Sequence, residues 1–264
     1  MDYLLTNKIA FISGSTSGIG FAIAKLLAKE GAHVILNGRH EETVVHAIEE
    51  LKKEIPSAKV SGITADFSDP NSVKDLISKL DRIDILINNV GIFTSQSFTE
   101  TSDEDWYRLF EVNVMSGVRL SRALLPKMMA RDWGRIVFVS SECAQLVPED
   151  LIAYSMTKAA MLSISRGLAQ TTRGSAVTVN SIMPGSTLSE GAKRFLKEQA
   201  VKENQKEEDV ASAFFKNVRT TSLIERFLSP EEIANGVLYL ASPLSSATNG
   251  AVLKLDGGSV PGIF

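Results

Sequence analysis

Tyr154 and Lys158 stand four residues apart, and no other tyrosine of this chain has a lysine four positions on. The segment 152–173 around them is rich in Ala, Ser, Met and Leu and free of proline. It therefore reads as a helix, on which positions i and i+4 share a face. A phenol titrating near 10 is a poor proton carrier at neutral pH, but a fixed ammonium within about 4–6 Å favours phenolate and lowers that value. The spacing predicts a tyrosine tuned by its lysine for proton transfer. Ser141 lies thirteen residues before Tyr154, closing Arg135-Ile136-Val137-Phe138-Val139-Ser140-Ser141, a β-branched and aromatic run with the composition of a buried strand. A strand end facing a helix start makes a cleft.

Those side chains need a scaffold, and the rest of the chain supplies its outline. Seven apolar, strand-like runs occur at 8–13, 33–37, 59–64, 83–88, 135–140, 176–183 and 251–255. Helical patterns separate most of them, among them 19–30, 41–54 and 71–80, so the strands are expected to be parallel and joined by right-handed crossovers. The expected fold class is α/β, a doubly wound parallel seven-stranded sheet with helices on both faces, forming a single domain over 1–264. Ligands of such a sheet bind beyond the carboxyl ends of its strands. The segment 186–229 breaks the rhythm with charged, helix-prone residues, while Phe195, Leu196, Phe214 and Phe215 give it an apolar side. It reads as a helical substrate lid, with a solvated surface excursion as the alternative.

Composition narrows the function classes. A length of 264 residues suits one large α/β domain, and 44% hydrophobic content is enough to fill its core. A net charge of −3, with no long block of like charges, argues against a nucleic-acid surface or a polybasic membrane patch. No apolar run approaches the roughly 20 residues that span a bilayer. One cysteine excludes an internal disulfide, and the first eight residues lack a charged start with a long apolar core, so a cytoplasmic setting is expected. His33, His40 and His46 all fall early, and no His/Cys cluster has metal-ligand spacing, so no metal is expected. A Ser-His-Asp hydrolase would need a late histidine and a Gly-x-Ser-x-Gly nucleophile, and the chain has neither.

The first strand runs straight into Ser13-Gly14-Ser15-Thr16-Ser17-Gly18-Ile19-Gly20 and then into a helix. Glycines let backbone approach a phosphate closely, and a helix start offers free N–H groups and a favourable dipole to an anion. This turn reads as a loop for a nucleotide pyrophosphate.

Several motifs then fall in order: the Gly-x-x-x-Gly-x-Gly spacing of Gly14, Gly18 and Gly20, Asn88-Asn89-Val90-Gly91, the set Asn113, Ser141, Tyr154 and Lys158, Pro184-Gly185 after the sixth strand, and Leu255-Asp256-Gly257-Gly258 near the end. Over nearly its whole length the chain resembles the short-chain dehydrogenase/reductase family, and most broadly its 3-oxoacyl thioester reductases. The resemblance implies a Rossmann-type fold and hydride transfer between a nicotinamide cofactor and a carbonyl or secondary alcohol. It implies that Ser141 hydrogen-bonds the carbonyl oxygen and that Tyr154 gives the proton. Lys158 would hold the ribose hydroxyls and lower the tyrosine pKa, and Asn113 would hold a water behind it. Ser140 is the rival for the serine role, and the family's thirteen-residue spacing favours Ser141.

For the cofactor, the resemblance implies that Ser15, Ser17 and Ile19 line the pyrophosphate loop with its glycines. Asp66 and Phe67 would flank the adenine, although Asp66 reads equally as a turn residue before Asp69-Pro70. Asn89 and Gly91 would line the adenosine side, while Pro184, Gly185, Thr187 and Ser189 would face the nicotinamide end. The second strand ends Val34-Ile35-Leu36-Asn37-Gly38-Arg39. A carboxylate there accepts from the 2′-hydroxyl of NAD, whereas an arginine suits a 2′-phosphate. Position 38, where NAD-using members often carry Asp, is Gly, and Arg39 follows, so NADP(H) is expected over NAD(H). Ser17 stands where NADP-using members often place a basic residue.

Ile92, Phe93, Leu146, Val147, Leu151 and Phe195 suggest an apolar substrate pocket, with core packing as the alternative for each. Cys143 is expected to line it as a small packing residue, since no histidine is at hand to activate it. Glu142 reads equally as a reader of a polar substrate group or as a solvent-facing side chain. The leading reading is an NADP(H)-dependent oxidoreductase of a small-molecule carbonyl or alcohol. The alternatives are a silent cofactor-binding regulatory or scaffold protein, and an isomerase or dehydratase working through a transient oxidised intermediate. The resemblance also implies a homotetramer, with Ile263-Phe264 near a partner subunit.

Overall fold

The structure, a computed structural model, describes residues 2–263. Seven runs form β1 (Ile9–Ile12), β2 (His33–Gly38), β3 (Val60–Thr64), β4 (Ile85–Asn88), β5 (Gly134–Val139), β6 (Val177–Pro184) and β7 (Val252–Leu255), the central ones covered on both faces and the edge strands β3 and β7 only partly buried. Each lies within two residues of its expected bounds. β4, β5 and β6 are buried at every position. The strands form one sheet in the order β3-β2-β1-β4-β5-β6-β7, parallel throughout.

The helices are α1 (Gly18–Lys29), α2 (Glu41–Glu54), α3 (Pro70–Lys79), α4 (Asp103–Phe110), α5 (Ser116–Ala130), α6 (Cys143–Leu146), α7 (Ile152–Thr171), α8 (Glu190–Glu203), α9 (Glu207–Asn217) and α10 (Pro230–Ala241). Because neighbouring strand residues point to opposite faces, Phe11 and Ile12 enter different cores. Ile12, Leu36 and Ile87 pack with Ile23 and Leu27 of α1 and with Ile233 and Val237 of α10. Phe11, Leu86 and Phe138 pack with Leu76 of α3, Leu120 and Leu124 of α5, and Met161 of α7. The winding reverses between β1 and β4, which opens a crevice at the carboxyl ends of the strands.

Local signals fix several helix starts. Pro230 opens α10 behind a reciprocal cap, in which Ser229 accepts from the Glu232 N–H and the Glu232 carboxylate accepts from the Ser229 N–H. Between α4 and α5 the chain makes one π-helical turn, Glu111–Met115, which the sequence pattern did not announce.

The irregular segment 186–229 folds as α8 and α9. Leu196 and Ala200 pack on Val210, with Leu188 and Phe227 at the margin. Its base is stitched to the sheet end by the Thr187–Leu228 bridge and by Leu223 N–H donating to Gly257 O at 2.9 Å. Among the described residues no helix is long and apolar enough to cross a membrane. Ile263 is exposed, and Phe264 of the expected tetramer contact lies outside the described residues.

Candidate active site

The glycine loop is held from below by side chains of the neighbouring strands. Ser15, fully buried, donates through Oγ to Ile12 O at 2.8 Å and accepts from Asn37 N at 3.0 Å. Asn37 accepts from Gly14 N at 3.0 Å and donates to Ile63 O at 3.0 Å, tying the loop to β2 and β3. Asn89 Nδ2 donates to the Ser13 and Gly14 carbonyls at 2.9 and 2.8 Å. Gly20 must lack a side chain, because a Cβ would stand 2.4 Å from Gly14 O and 2.5 Å from Asn89 Nδ2. Helix α1 starts at Ser17 with no side-chain cap and no acidic residue in its first turn. Its first N–H groups and positive dipole end are therefore available to an anion, which fits the pyrophosphate of a dinucleotide.

Across the crevice, β5 delivers Ser140 and Ser141, and α7 delivers Tyr154 and Lys158. The Ser140 hydroxyl donates to Lys158 O at 2.8 Å, so it locks strand to helix and is committed there. Ser141 faces the cleft, its Oγ accepting from Cys143 N at 3.2 Å. Lys158 Nζ lies 5.5 Å from the Tyr154 ring centre and donates to Val139 O at 3.0 Å. Asn113 sits in the π turn with no exposure; its Nδ2 donates to Ile92 O (2.9 Å) and Thr157 Oγ1 (3.0 Å), and its Oδ1 accepts from Ile92 N (2.8 Å). Its amide ties that turn to Ile92 and Thr157.

The electrostatics correct one expectation. Lys158 was expected to lower the Tyr154 pKa, but desolvation raises it well above 10.0, with the charge borne by ionised Cys143 adding and the Ser141 hydroxyl opposing. Lys158 is itself held down to about 8, mainly by burial. Burial is the larger influence on both neighbours, and Lys158 still carries most of its charge at neutral pH.

Ile19, Asn89, Gly91, Ile92 and Phe93 on one side meet Ser141, Tyr154, Lys158, Pro184, Gly185, Thr187 and Ser189 on the other, around a cleft of about 230 Å³. The Phe93 ring meets Tyr154 edge-on at 5.9 Å. A family model described as short chain dehydrogenase matches residues 8–200. The chain belongs to the short-chain dehydrogenase/reductase family. It is an oxidoreductase acting on CH–OH and C=O groups.

This short-chain dehydrogenase/reductase is 46% identical to the uncharacterised oxidoreductase YvaG of Bacillus subtilis over 264 residues, covering all of both chains. It is 32% identical to a 3-oxoacyl-(acyl-carrier-protein) reductase of Aquifex aeolicus, covering 98% of this chain and 99% of the relative. Its structure matches the L-sorbose reductase of Gluconobacter frateurii, solved with NADPH and L-sorbose, at a TM-score of 0.93 and 33% identity over the full length of both.

Within the family fold, some expected site residues turn away from the cleft. Phe67 is 2% exposed and belongs to the core beneath α3, so its ring does not flank an adenine. Asp66 spends its Oδ1 on Ser68 N and Oγ at 2.8 and 2.7 Å, which holds its carboxyl below the usual range. Phe195 and Val147 are exposed, and Leu146 and Leu151 are partly buried outside the cleft lining. Cys143 is buried beside the cleft, and burial pushes its thiol up, as suits a packing residue. Arg39 is exposed at the end of β2. A side chain at Gly38 would put its Cβ 2.6 Å from Thr16 Cγ2, so a carboxylate has no ready room there.

Two groups escaped the sequence reading. Asn37 and Ser13 organise the loop from inside apolar strands, and a polar residue interrupting such a run is the signal that marks them. Glu142, for which a solvent-facing side chain was one reading, is instead 2% exposed and paired with Arg219 at 2.9 Å. Nothing local in the sequence links two residues so far apart.

Proposed function

We propose that this enzyme is an NADP(H)-dependent reductase of a compact, polar carbonyl compound. The observation that carries the reading is the joining of the Ser141 hydroxyl, the Tyr154 phenol and the buried Lys158 with the 184–189 loop around one cleft, while the rival Ser140 is occupied elsewhere. When bound, NADPH supplies the hydride. Ser141 donates a hydrogen bond to the carbonyl oxygen and fixes its position. Tyr154, whose raised pKa keeps it protonated at neutral pH, gives its proton to that oxygen as negative charge develops. Lys158, still largely charged below about pH 8, supplies the neighbouring positive field and is steadied by Val139 O.

The size and lining of the cleft support a small substrate. About 230 Å³ must also admit the nicotinamide, and Asn89, Ser141, Thr187 and Ser189 sit among Ile92 and Phe93. Similarity to an enzyme solved with L-sorbose and NADPH supports a hydroxylated carbonyl compound ahead of a steroid or long acyl chain. Arg39, with Gly38 closed to a carboxylate, supports NADP(H). A panel of ketoses, short oxo acids and acyl ketones, followed by NADPH consumption, tests the reading. Tyr154→Phe should lower turnover by about 10²–10⁴-fold with NADPH binding unchanged. Retained turnover in that variant would remove the proton-transfer role, and turnover without net NADPH consumption would instead mark an isomerase or dehydratase.

A further inference from the structure

Past β5 the chain turns at Glu142, whose N–H donates to Pro184 O at 2.7 Å at the end of β6. Its carboxylate oxygen Oε1 accepts from Ser186 Oγ at 3.0 Å and from Arg219 Nε at 2.9 Å. Arg219 follows α9. Its guanidinium carbon lies 5.6 Å from the Phe214 ring centre, and Nη2 is 3.9 Å from Cys143 Sγ. Phe214 stacks on Phe227 at 5.2 Å, and Phe215 meets both rings edge-on. The Glu142 and Arg219 side chains are 3% and 12% exposed, and Glu142 Oε2 is buried without a protein partner.

Burying an ion pair costs desolvation that its attraction roughly offsets, so such a pair adds little net stability while breaking one half costs much. What this pair does provide is fixed geometry among three separate segments. Ser141 precedes Glu142, Gly185 and Thr187 flank Ser186, and all three of those neighbours line the cleft. The third segment is the α8–α9 excursion, which reaches the cleft region through Arg219.

We propose that Glu142 and Arg219 are positioning residues, forming a buried clamp that couples the seating of α8–α9 to the placement of Ser141 and of the 184–189 loop. The coupling to turnover rests on the reductase reading above, whereas the clamp itself rests on the geometry. Hydrogen exchange read by mass spectrometry, paired with steady-state kinetics on the best carbonyl of the panel, tests both parts.

Arg219→Gln should speed exchange in 190–217 and also in 140–147 and 184–189. It should lower kcat on the order of tenfold to a hundredfold, as misplacement of reacting groups does. Arg219→Lys should recover part of both effects, and Glu142→Gln with Arg219→Gln together should be no worse than the worse single variant. Faster exchange confined to 190–217 with unchanged kcat, or additive losses in the double variant, overturns the clamp. If Arg219→Gln does not fold, Ser186→Ala and Arg219→Lys carry the same exchange comparison, and unchanged exchange at 140–147 in both overturns it. If the unaltered protein reduces no carbonyl, the reductase reading fails, and the exchange result still decides the clamp.

Discussion

A lysine shut away from water is a reluctant cation, and Lys158 shows the consequence in its titration. An unfolded lysine titrates near 10.5, and burial holds this one to about 8. Between those values the unfolded chain keeps a proton that the folded protein has released, so stability rises with pH across the interval. Tyr154 acts the other way, but its unfolded value is 10.0, so its opposing loss starts only near there. Cys143, whose buried thiol is pushed above its unfolded value of 9.0, opposes the lysine's gain from about that pH, so the clean window is pH 8 to 9. Relative to Lys158→Met, the unaltered protein should gain about 1 kcal/mol across that window in urea unfolding. Parallel profiles for the two proteins would show that burial does not depress the lysine. That Tyr154, Lys158 and Ser141 meet at one cleft was legible because helix and strand spacing are local. The direction of the tyrosine shift was not, because it depends on burial, and neither was the Glu142–Arg219 pair, which only the tertiary fold brings together.

At the scale of elements, α8 illustrates both what a pattern shows and where it misleads. Leu196 and Ala200 sit one turn apart and are 5% and 7% exposed, whereas Phe195 is 44% exposed. Adjacent residues diverge by about 100° around a helix, so Phe195 and Leu196 cannot share the inward face. Leu196→Ala should therefore cost about 2–3 kcal/mol, and Phe195→Ala should stay within about 0.5 kcal/mol. Equal losses in chemical unfolding would place Phe195 inside after all. The central strands were readable because parallel strands covered on both faces are largely apolar, and the partly buried edge strands β3 and β7 because β-branched residues recur between helical stretches. Phe67 was misplaced because an aromatic residue just past a strand end looks the same whether it enters the core or borders a ligand. The π turn that carries Asn113 adds a register shift that no simple periodicity reveals.

The whole molecule turns one edge of its sheet into a continuous binding rim. The glycine loop follows β1, Arg39 follows β2, Asn89 follows β4, Ser141 follows β5 and the 184–189 loop follows β6. A dinucleotide spanning that rim would draw on most of the parallel sheet, so its binding should register as stability of the whole fold. At a hundred times its Kd, NADPH adds about 2.7 kcal/mol, worth about 5 °C in Tm for a chain of this size. Arg39 is the one basic side chain placed by the sequence at the end of β2, and Gly38 beside it leaves no ready room for the carboxylate that would suit a 2′-hydroxyl. A charge-assisted hydrogen bond contributes about 1.5–3 kcal/mol, and partial exposure argues for the lower end, or about a tenfold change in Kd. Arg39→Ala should then remove about 2–3 °C of the NADPH shift and leave the NADH shift where it was, as followed by thermal unfolding at equal nucleotide concentrations. An equal loss with both nucleotides would end the assignment to NADP(H), and an unchanged NADPH shift would move the 2′-phosphate contact away from Arg39.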